Sequence, residues 1–284
     1  MILVADSGST KADWMLAVPG KSHEKYSTAG FNPYFHDEKF ILDEMYANDD
    51  LRRISDQVTQ VYFYGAGCSS KDRNEGIRLA LNKFFKGAKV VVDHDIWASV
   101  IATCGDNPGI ACILGTGSNS CYFDGKKLHK NNYGLGFIMG DEGSGSYYGK
   151  KLITHYLYNI LPANLRKAFE EKYKMDKEIM IANVYNSSSA NVWLASFAKF
   201  FTDNATDPWV TEMVRKGMAD FFDLYVCHYE NYKNLEVHFV GSIAHYFADI
   251  LRQVAAEKEV KVGKIIRHPI NSLAEYYMTK ARNF

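Results

Sequence analysis

Neither sign of charge is in excess in this sequence. Its 284 residues include 33 lysines and arginines and 33 aspartates and glutamates. Broad binding to nucleic acid needs a concentrated basic face, so this balance argues against a nucleic-acid partner. It does not exclude a local phosphate pocket, because backbone amides can build one without net positive charge.

Cysteine is scarce, and long apolar runs are missing. The five cysteines are odd in number and include no pair with C-x-x-C spacing. This usage is typical of a reducing compartment and predicts a cytoplasmic protein without disulfides, zinc or an iron–sulfur cluster. No stretch approaches about 18 consecutive apolar residues, so we expect no membrane span. The first apolar run, Ile2–Ala5, is short and lacks a basic flank, which indicates a strand and not a signal peptide.

Two short glycine turns each follow a strand-like run. Segment 6–11 (DSGSTK) comes directly after Ile2–Ala5, and segment 115–119 (GTGSN) comes directly after Ile110–Leu114. Glycine lets the backbone approach a ligand closely, and the exposed N–H groups of such a turn bind anions. Either turn alone could be a plain hairpin loop. Together they indicate two anion-binding turns that contact one polyphosphate.

Carboxylates stand at the ends of two predicted strands. Asp6 ends the first strand and could hold Mg²⁺ through water molecules, since Mg²⁺ keeps much of its hydration shell. Asp93 and Asp95 follow an apolar run that ends at Val92, and a carboxylate in such a position can accept a proton from a substrate hydroxyl. Aspartate also favours helix N-caps, so one of the two could serve each purpose. His94, between them, is interpreted as a bystander.

The densest glycine stretch, segment 134–146, contains two carboxylates just ahead of a predicted helix. Its G-x-G-x-x-x-G spacing and the lack of a framing βαβ unit argue against a dinucleotide fingerprint. We interpret it as a sugar or metal loop in which Asp141 accepts hydrogen bonds from a polyol. Segment 239–244 (FVGSIA) predicts a strand, a Gly-Ser turn and a helix start, which could contact a base or ribose or be an ordinary loop.

Strands and helices alternate in the order β-β-β-α-β-α-β-α over the first part of the chain, and the order restarts near Gly109 with extra helices. This pattern predicts an α/β fold with two similar lobes. We expect residues 1–106 and 270–284 to form the N-terminal lobe and residues 107–269 the C-terminal lobe, with a helical insertion at about 150–235. The spacing predicts one helix over residues 243–256.

The motifs DSGSTK, DIWAS, GTGSN, GLGFIMGDEGS and VGS, in that order, resemble those of the sugar kinase/Hsp70/actin superfamily. More narrowly, they resemble the BadF/BadG/BcrA/BcrD ATPase family and, within it, the N-acetylglucosamine kinases. The most specific part is GTGSN followed about 20 residues later by MGDEGS. The resemblance spans nearly the whole chain. It implies two ribonuclease-H-like lobes of the actin/hexokinase type, with ATP and sugar in the cleft between them.

The resemblance also implies a role for each residue that matches a family motif. Asp95 would be the catalytic base in contact with the substrate, and Asp6 would hold the metal ion. The sugar would contact Asn32, Gly134, Leu135 and Asp141. ATP and its Mg²⁺ would be bound by Asp6, Gly8, Ser9, Thr10, Lys11, Gly115, Thr116, Gly117, Gly241 and Ser242.

The activity implied by the resemblance is ATP-dependent phosphorylation of a sugar hydroxyl, with N-acetylglucosamine converted to its 6-phosphate. Leu135 stands where the animal enzyme has tryptophan, which leaves the exact amino sugar open. The alternatives are an ATPase that activates a partner enzyme, a non-catalytic sugar sensor, or a kinase for glucosamine or a muramyl sugar. The partner expected is a small amino sugar, and a homodimer stays open.

Overall fold

The computed structural model describes residues 1–8, 11–18, 23–130, 134–187 and 189–282. The chain divides into two units, the first made of Met1–Asp106 with His268–Phe284 and the second of Asn107–Arg267. Each unit contains one mixed five-stranded sheet with helices, so the predicted α/β fold with two lobes is confirmed. Ser9 and Thr10, which the sequence analysis assigns to the first glycine turn, lie outside the described residues.

The first unit begins with an antiparallel meander and continues with parallel strands. Its strands are β1 Ile2–Ser7, β2 Lys11–Ala17, β3 Glu24–Ala29, β4 Gln60–Gly65 and β5 Lys89–His94. They lie in the order β3-β2-β1-β4-β5, with β1 antiparallel to β2 and parallel to β4. The helices that follow these strands are α1 Glu38–Ala47, α2 Asp49–Ile54, α3 Lys71–Phe84 and α4 Asp95–Thr103.

The second unit repeats this pattern. Its strands are β6 Gly109–Leu114, β7 Ser118–Phe123, β8 Leu128–Lys130, β9 Glu236–Val240 and β10 Lys261–Ile266. They lie in the order β10-β9-β6-β7-β8, with β6 antiparallel to β7 and parallel to β9. Each sheet therefore has a three-stranded antiparallel half joined to a parallel half, and the internal repeat predicted from the sequence is confirmed.

Most helices of the second unit stand between β8 and β9. They are α5 Gly136–Met139, α6 Gly145–Leu157, α7 Ala163–Tyr173, α8 Lys177–Tyr185, α9 Ala190–Ser196, α10 Ala198–Asp203 and α11 Pro208–Phe221. Two more, α12 Ser242–Tyr246 and α13 Ala248–Glu257, separate β9 from β10. Within the described ranges, no helix is long and apolar enough to cross a membrane.

The last helix, α14 Ile270–Arg282, belongs to the first unit. The Tyr277 ring stacks on the Tyr62 ring of β4 with centroids 3.7 Å apart. Asp106 accepts hydrogen bonds from the Tyr276 hydroxyl at 3.1 Å and from Lys280 Nζ at 2.7 Å. These contacts attach the end of the chain to the sheet with which the chain begins.

A cluster of aromatic rings forms the core of the first unit. Trp14 on β2 is fully buried, with ring centroids 6.2 Å from Phe31, 5.8 Å from Phe63 and 6.4 Å from Phe85. Its indole N–H donates to Thr28 Oγ1 at 3.0 Å, so the one polar atom of the ring is satisfied. Because Trp14 lies on β2 and Phe63 on β4, this core packs against the sheet of the first unit.

The helix predicted over residues 243–256 is instead two helices, α12 and α13, with a break at Phe247. The Phe247 side chain is buried in the core of the second unit, as are Ile243 and Leu251 on either side of it. The apolar spacing continues across the break, and for this reason the sequence pattern predicts a single helix.

Two helices of the second unit approach each other at a glycine. A Cβ atom on Gly149 of α6 would lie 1.9 Å from the backbone oxygen of Leu194 on α9, a distance at which the backbones must move apart. We therefore expect Gly149→Ala to destabilise the protein by about 1–3 kcal/mol, the usual cost of overpacking. Urea unfolding measures this change.

Gly76 on α3 provides the matched control, because a Cβ atom there would meet nothing within 4 Å. Gly76→Ala should be neutral or stabilising by up to about 1 kcal/mol, since alanine favours a helix interior over glycine. Equal effects of the two substitutions would contradict the close packing of α6 on α9.

Candidate active site

The parallel strands of the first unit end at one edge of its sheet. The register places Asp6 on β1 opposite Tyr64 on β4, and Tyr64 opposite Asp93 on β5. The chain leaves this edge through the first glycine turn, through the loop after Gly65 and through α4, which begins at Asp95. Such an edge is where α/β folds usually bind ligands.

Asp6 carries a carboxylate that is costly to ionise. Burial raises its pKa to about 7, and the negative charges of Asp95 and Asp13 add to the effect. Asp13 lies directly across the β1–β2 pair, where Lys11 Nζ pairs with it at 2.6 Å. A cation bound beside Asp6 and Asp95 would relieve this concentration of charge.

Mg²⁺ fits the chemistry of this edge if water and phosphate oxygens supply most of its ligands. Within the described ranges, no group of three or more His, Cys, Asp or Glu side chains is placed to form a full set of metal ligands. Mg²⁺ commonly binds through one or two carboxylates and completes its shell with water and substrate phosphates. Asp6 could supply one such carboxylate oxygen.

The first glycine turn is closed by the backbone N–H of Gly8, which donates to Lys11 O at 3.0 Å. The buried Ser7 side chain joins the turn to the next loop, since its Oγ accepts from Phe31 N at 2.9 Å and donates to Gly8 O at 3.2 Å. Sequence reasoning did not single out Ser7. Its role depends on a contact between residues 24 positions apart.

Asn32 lies in a tight loop beside this turn and is only 6% exposed. Its Oδ1 accepts from Tyr34 N at 3.0 Å, and its backbone N–H donates to His36 Nδ1 at 3.3 Å. Gly67, in the loop after β4, has a φ of +82°, and a Cβ atom there would lie 2.5 Å from Asn32 Oδ1. Gly67 therefore leaves the space that the Asn32 side chain occupies.

Asp95 is the first residue of α4, and His94 is the N-cap of that helix. The prediction that Asp93 or Asp95 caps the helix is therefore wrong. β5 runs past the apolar residues to His94, which leaves the histidine in the cap position. His94 Nδ1 also lies 2.5 Å from Asp95 Oδ1.

In the second unit, the glycine turn after β6 is held by the start of α6. Gly115 O accepts from Gly145 N at 2.8 Å, and Thr116 O accepts from Ser146 N at 3.0 Å. Gly117 O accepts from Gly115 N at 3.0 Å and closes the turn. Segment 118–119 belongs to β7, so the turn is shorter than the GTGSN motif.

Asp141 is bonded to this turn. Its Oδ1 accepts from Ser118 N at 3.2 Å, and a Cβ atom on Gly117 would lie 2.9 Å from its Oδ2. Its backbone N–H donates to the Tyr225 hydroxyl at 3.2 Å, and that hydroxyl donates to Glu142 Oε2 at 3.1 Å. Burial raises the pKa of Asp141 to about 6, and the Ser118 N–H bond opposes part of that shift.

Gly134 and Leu135 lie just before α5 and are exposed to solvent. Leu135 is 52% exposed, so its side chain is not part of the core. Lys150 Nζ on α6 donates to Phe137 O at 2.9 Å and ties α5 to the longer helix. The structure thus connects this loop, the glycine turn and Asp141 within one unit.

Gly241 lies between β9 and α12 and has a φ of +129°. A Cβ atom there would lie 2.2 Å from Leu114 O, at the end of β6. Only glycine permits this approach, which brings Gly241 and Ser242 beside the turn that starts at Gly115. The close approach of Gly241 to the end of β6 is therefore enough to require glycine at position 241, whether or not a ligand binds there.

Solved structures that resemble this protein include three sugar kinases or candidate sugar kinases. A candidate N-acetylglucosamine kinase from Porphyromonas gingivalis is 35% identical, matches 99% of this chain and 100% of its own, and has a TM-score of 0.94. One from Chromobacterium violaceum is 16% identical over 97% of this chain and 98% of its own, with a TM-score of 0.76. A ROK family glucokinase from Streptomyces griseus, solved with glucose and AMPPNP, is 15% identical over 100% of this chain and 99% of its own, with a TM-score of 0.55. No protein-family model and no curated protein matches the chain.

The fold and these similarities place the chain in the class of sugar kinases with the actin/Hsp70-like fold. Within that class it belongs to the same family as the Porphyromonas gingivalis protein, because the two are 35% identical over 99% of this chain.

The raised pKa of Asp6 predicts how stability depends on pH. The folded protein holds this proton with a pKa of about 7, whereas the ordinary value is 3.8, so the wild type loses stability as pH rises through that window. Asp6→Asn removes the titrating group. In EDTA, its free energy of unfolding should rise by about 2–3 kcal/mol relative to wild type between pH 5 and pH 8.

Urea unfolding at several pH values measures the difference. Asp43→Asn is the control, because it removes an exposed carboxylate on α1, and its pH dependence should match that of the wild type. Parallel curves for wild type and Asp6→Asn would contradict the raised pKa of Asp6.

Proposed function

We propose that the protein is an ATP-dependent kinase that phosphorylates an amino sugar, with the 6-hydroxyl of N-acetylglucosamine as the acceptor. The observation that carries the proposal is that Asp6 and Asp95 lie near enough at the strand-end edge of the first unit for the charge of Asp95 to add to the effect of burial on the pKa of Asp6, within a sugar-kinase fold. The order of motifs supports assignment to the BadF/BadG/BcrA/BcrD ATPase family. The glucokinase relative solved with AMPPNP supports ATP as the phosphoryl donor.

Asp95 is the proposed general base. A sugar hydroxyl that hydrogen-bonds to its carboxylate would lose its proton as the oxygen attacks the γ-phosphorus. The new bond joins the sugar oxygen to phosphorus, and the bond from phosphorus to the oxygen of ADP breaks. Asp95 is the first residue of α4, directly after the end of β5, and this places its carboxylate at the strand-end edge of the sheet.

The phosphates would be bound mainly by backbone groups. In the first unit these belong to segment 6–11, and in the second unit to Gly115, Thr116 and Gly117. Asp6 would hold Mg²⁺, which when bound neutralises charge on the transferred group. Gly241 and Ser242 are proposed to contact the adenosine, since Gly241 lies beside the start of the second turn.

The residues proposed to bind the sugar are Asn32, Gly134, Leu135 and Asp141. Asn32, whose side chain is fixed by Tyr34 N and by the space at Gly67, is suited to read one hydroxyl. Asp141 is the proposed acceptor for sugar hydroxyls in the second unit. The exposed Leu135 offers an apolar contact but not an aromatic ring.

A panel of hexosamines tests this function. ADP release with Mg²⁺–ATP should be stimulated by N-acetylglucosamine, and more by it than by glucosamine, N-acetylmannosamine or N-acetylmuramic acid. Stronger stimulation by another amino sugar would support the kinase activity but would assign it a different substrate. ADP release that no sugar stimulates would contradict the proposal and favour an ATPase.

Asp95→Asn tests the base assignment. The substitution keeps the shape of the side chain and removes the proton acceptor, so kcat should fall by at least about 100-fold. ATP binding should stay close to wild type, and the thermal unfolding temperature should not fall, because the substitution removes a negative charge that acts on Asp6. Sugar phosphorylation within a few-fold of wild type would show that another group takes the proton.

Gly67→Ala tests the sugar role of Asn32. The new Cβ atom would displace Asn32 Oδ1, so the KM for the sugar should rise about 10-fold, as expected when a hydrogen bond of about 1.4 kcal/mol is lost. The KM for ATP should change little.

Gly87→Ala is an unusually close control. Gly87 has a φ of +83°, nearly the same as Gly67, but a Cβ atom there would meet nothing within 4 Å. Both variants carry backbone strain of about 1–3 kcal/mol, and only Gly67→Ala should alter the sugar KM. Equal effects on KM would mean that Asn32 does not bind the sugar.

A further inference from the structure

We propose that His94 is a positioning residue that fixes the carboxylate of Asp95 by donating its Nδ1–H to Asp95 Oδ1. This inference rests on the proposed function, in which Asp95 is the base. With Oδ1 bonded to the imidazole, the other carboxylate oxygen would be left for the sugar hydroxyl. The three residues of the D-H-D motif, 93–95, would then act together.

The first observation is an unsatisfied oxygen. Asp95 Oδ1 is buried and accepts no hydrogen bond of normal geometry from the described residues. A buried carboxylate oxygen without a donor costs about 1–3 kcal/mol or more, so it is normally bonded when the site is assembled. His94 Nδ1, at 2.5 Å, is close enough to be that donor after a small adjustment of either side chain.

The second observation concerns the proton on that nitrogen. Nδ1 also lies 3.3 Å from Ile96 N, for which it acts as the helix-capping acceptor. One nitrogen cannot accept from Ile96 and donate to Asp95 together. Two lone pairs facing each other at 2.5 Å would repel, so the shorter contact favours the form with hydrogen on Nδ1.

His94 itself is well held. Its backbone N–H donates to Asp93 Oδ1 at 2.7 Å, and its side chain is only 17% exposed. A ring fixed in this way can hold a neighbouring carboxylate within the narrow range of positions that catalysis requires. A displacement of about 1 Å at such a site can cost about 100-fold in rate.

His94→Ala should therefore lower kcat by about 10- to 100-fold with little change in the KM for the sugar. His94→Asn should recover most of the loss, because the asparagine amide can place an N–H near the position of Nδ1 and can also cap the helix. A wild-type kcat for His94→Ala would overturn the inference.

A simple capping role is tested separately. Asp176→Ala removes the N-cap of α8, whose Oδ1 accepts from Ile179 N at 2.8 Å, and should cost similar stability without a change in kcat. In addition, His94→Ala should have no further effect on the residual activity of Asp95→Ala, since its influence acts through the carboxylate. The same fold-loss in both backgrounds would mean that His94 acts only through general structure.

Nitrogen NMR gives a readout that does not depend on activity. The His94 ring, assigned from the signals missing in His94→Ala, should carry hydrogen on Nδ1 in the wild type and shift towards the Nε2-protonated form in Asp95→Ala. An unchanged ring would overturn the inference. If the wild type makes no sugar phosphate, the proposed function fails; if it does, and only the His94 results disagree, the further inference fails alone.

Discussion

Negative charge gathered at one edge of the first sheet is the constraint on which the proposed site depends. The pairing of β1 with β2 sets Asp6 opposite Asp13. Burial raises the pKa of Asp6 to about 7, and the charges of Asp95 and Asp13 add to this effect. An asparagine in place of Asp6 would be more stable near neutral pH. A fold that keeps an unfavourable carboxylate of this kind is typical of a functional site, where a cation or a proton completes the arrangement.

In the second unit, two glycines lie so close to neighbouring atoms that a Cβ atom at either position would force those atoms to move. Gly117 leaves room for the Asp141 carboxylate, and Gly241 leaves room for the end of β6 at Leu114. These close contacts lie at the glycine turn that begins at Gly115. The backbone of that turn is also hydrogen-bonded by the start of α6, and Asp141 bonds to its end. The two units therefore differ, with carboxylates at the sheet edge of the first and a supported backbone turn in the second.

The sequence was sufficient to predict the repeated α/β pattern and the placing of Asp95 after β5, because apolar runs and glycine turns mark where strands end. It was insufficient where the outcome depends on tertiary contacts. β5 continues for two residues beyond its apolar run, and this extension places the N-cap of α4 at His94. The approach of Gly67 to Asn32 joins loops more than thirty residues apart, and the only hint of it in the sequence is a glycine two residues after the end of β4. The break at Phe247 lies within an unbroken helical pattern.

Phosphorus NMR of a reaction containing the protein, ATP, Mg²⁺ and N-acetylglucosamine tests the central claim most directly. The account predicts a phosphomonoester signal coupled to the C6 protons of the sugar, appearing at the same rate as ADP. Release of inorganic phosphate with ADP, and no signal from a sugar phosphate, would contradict it.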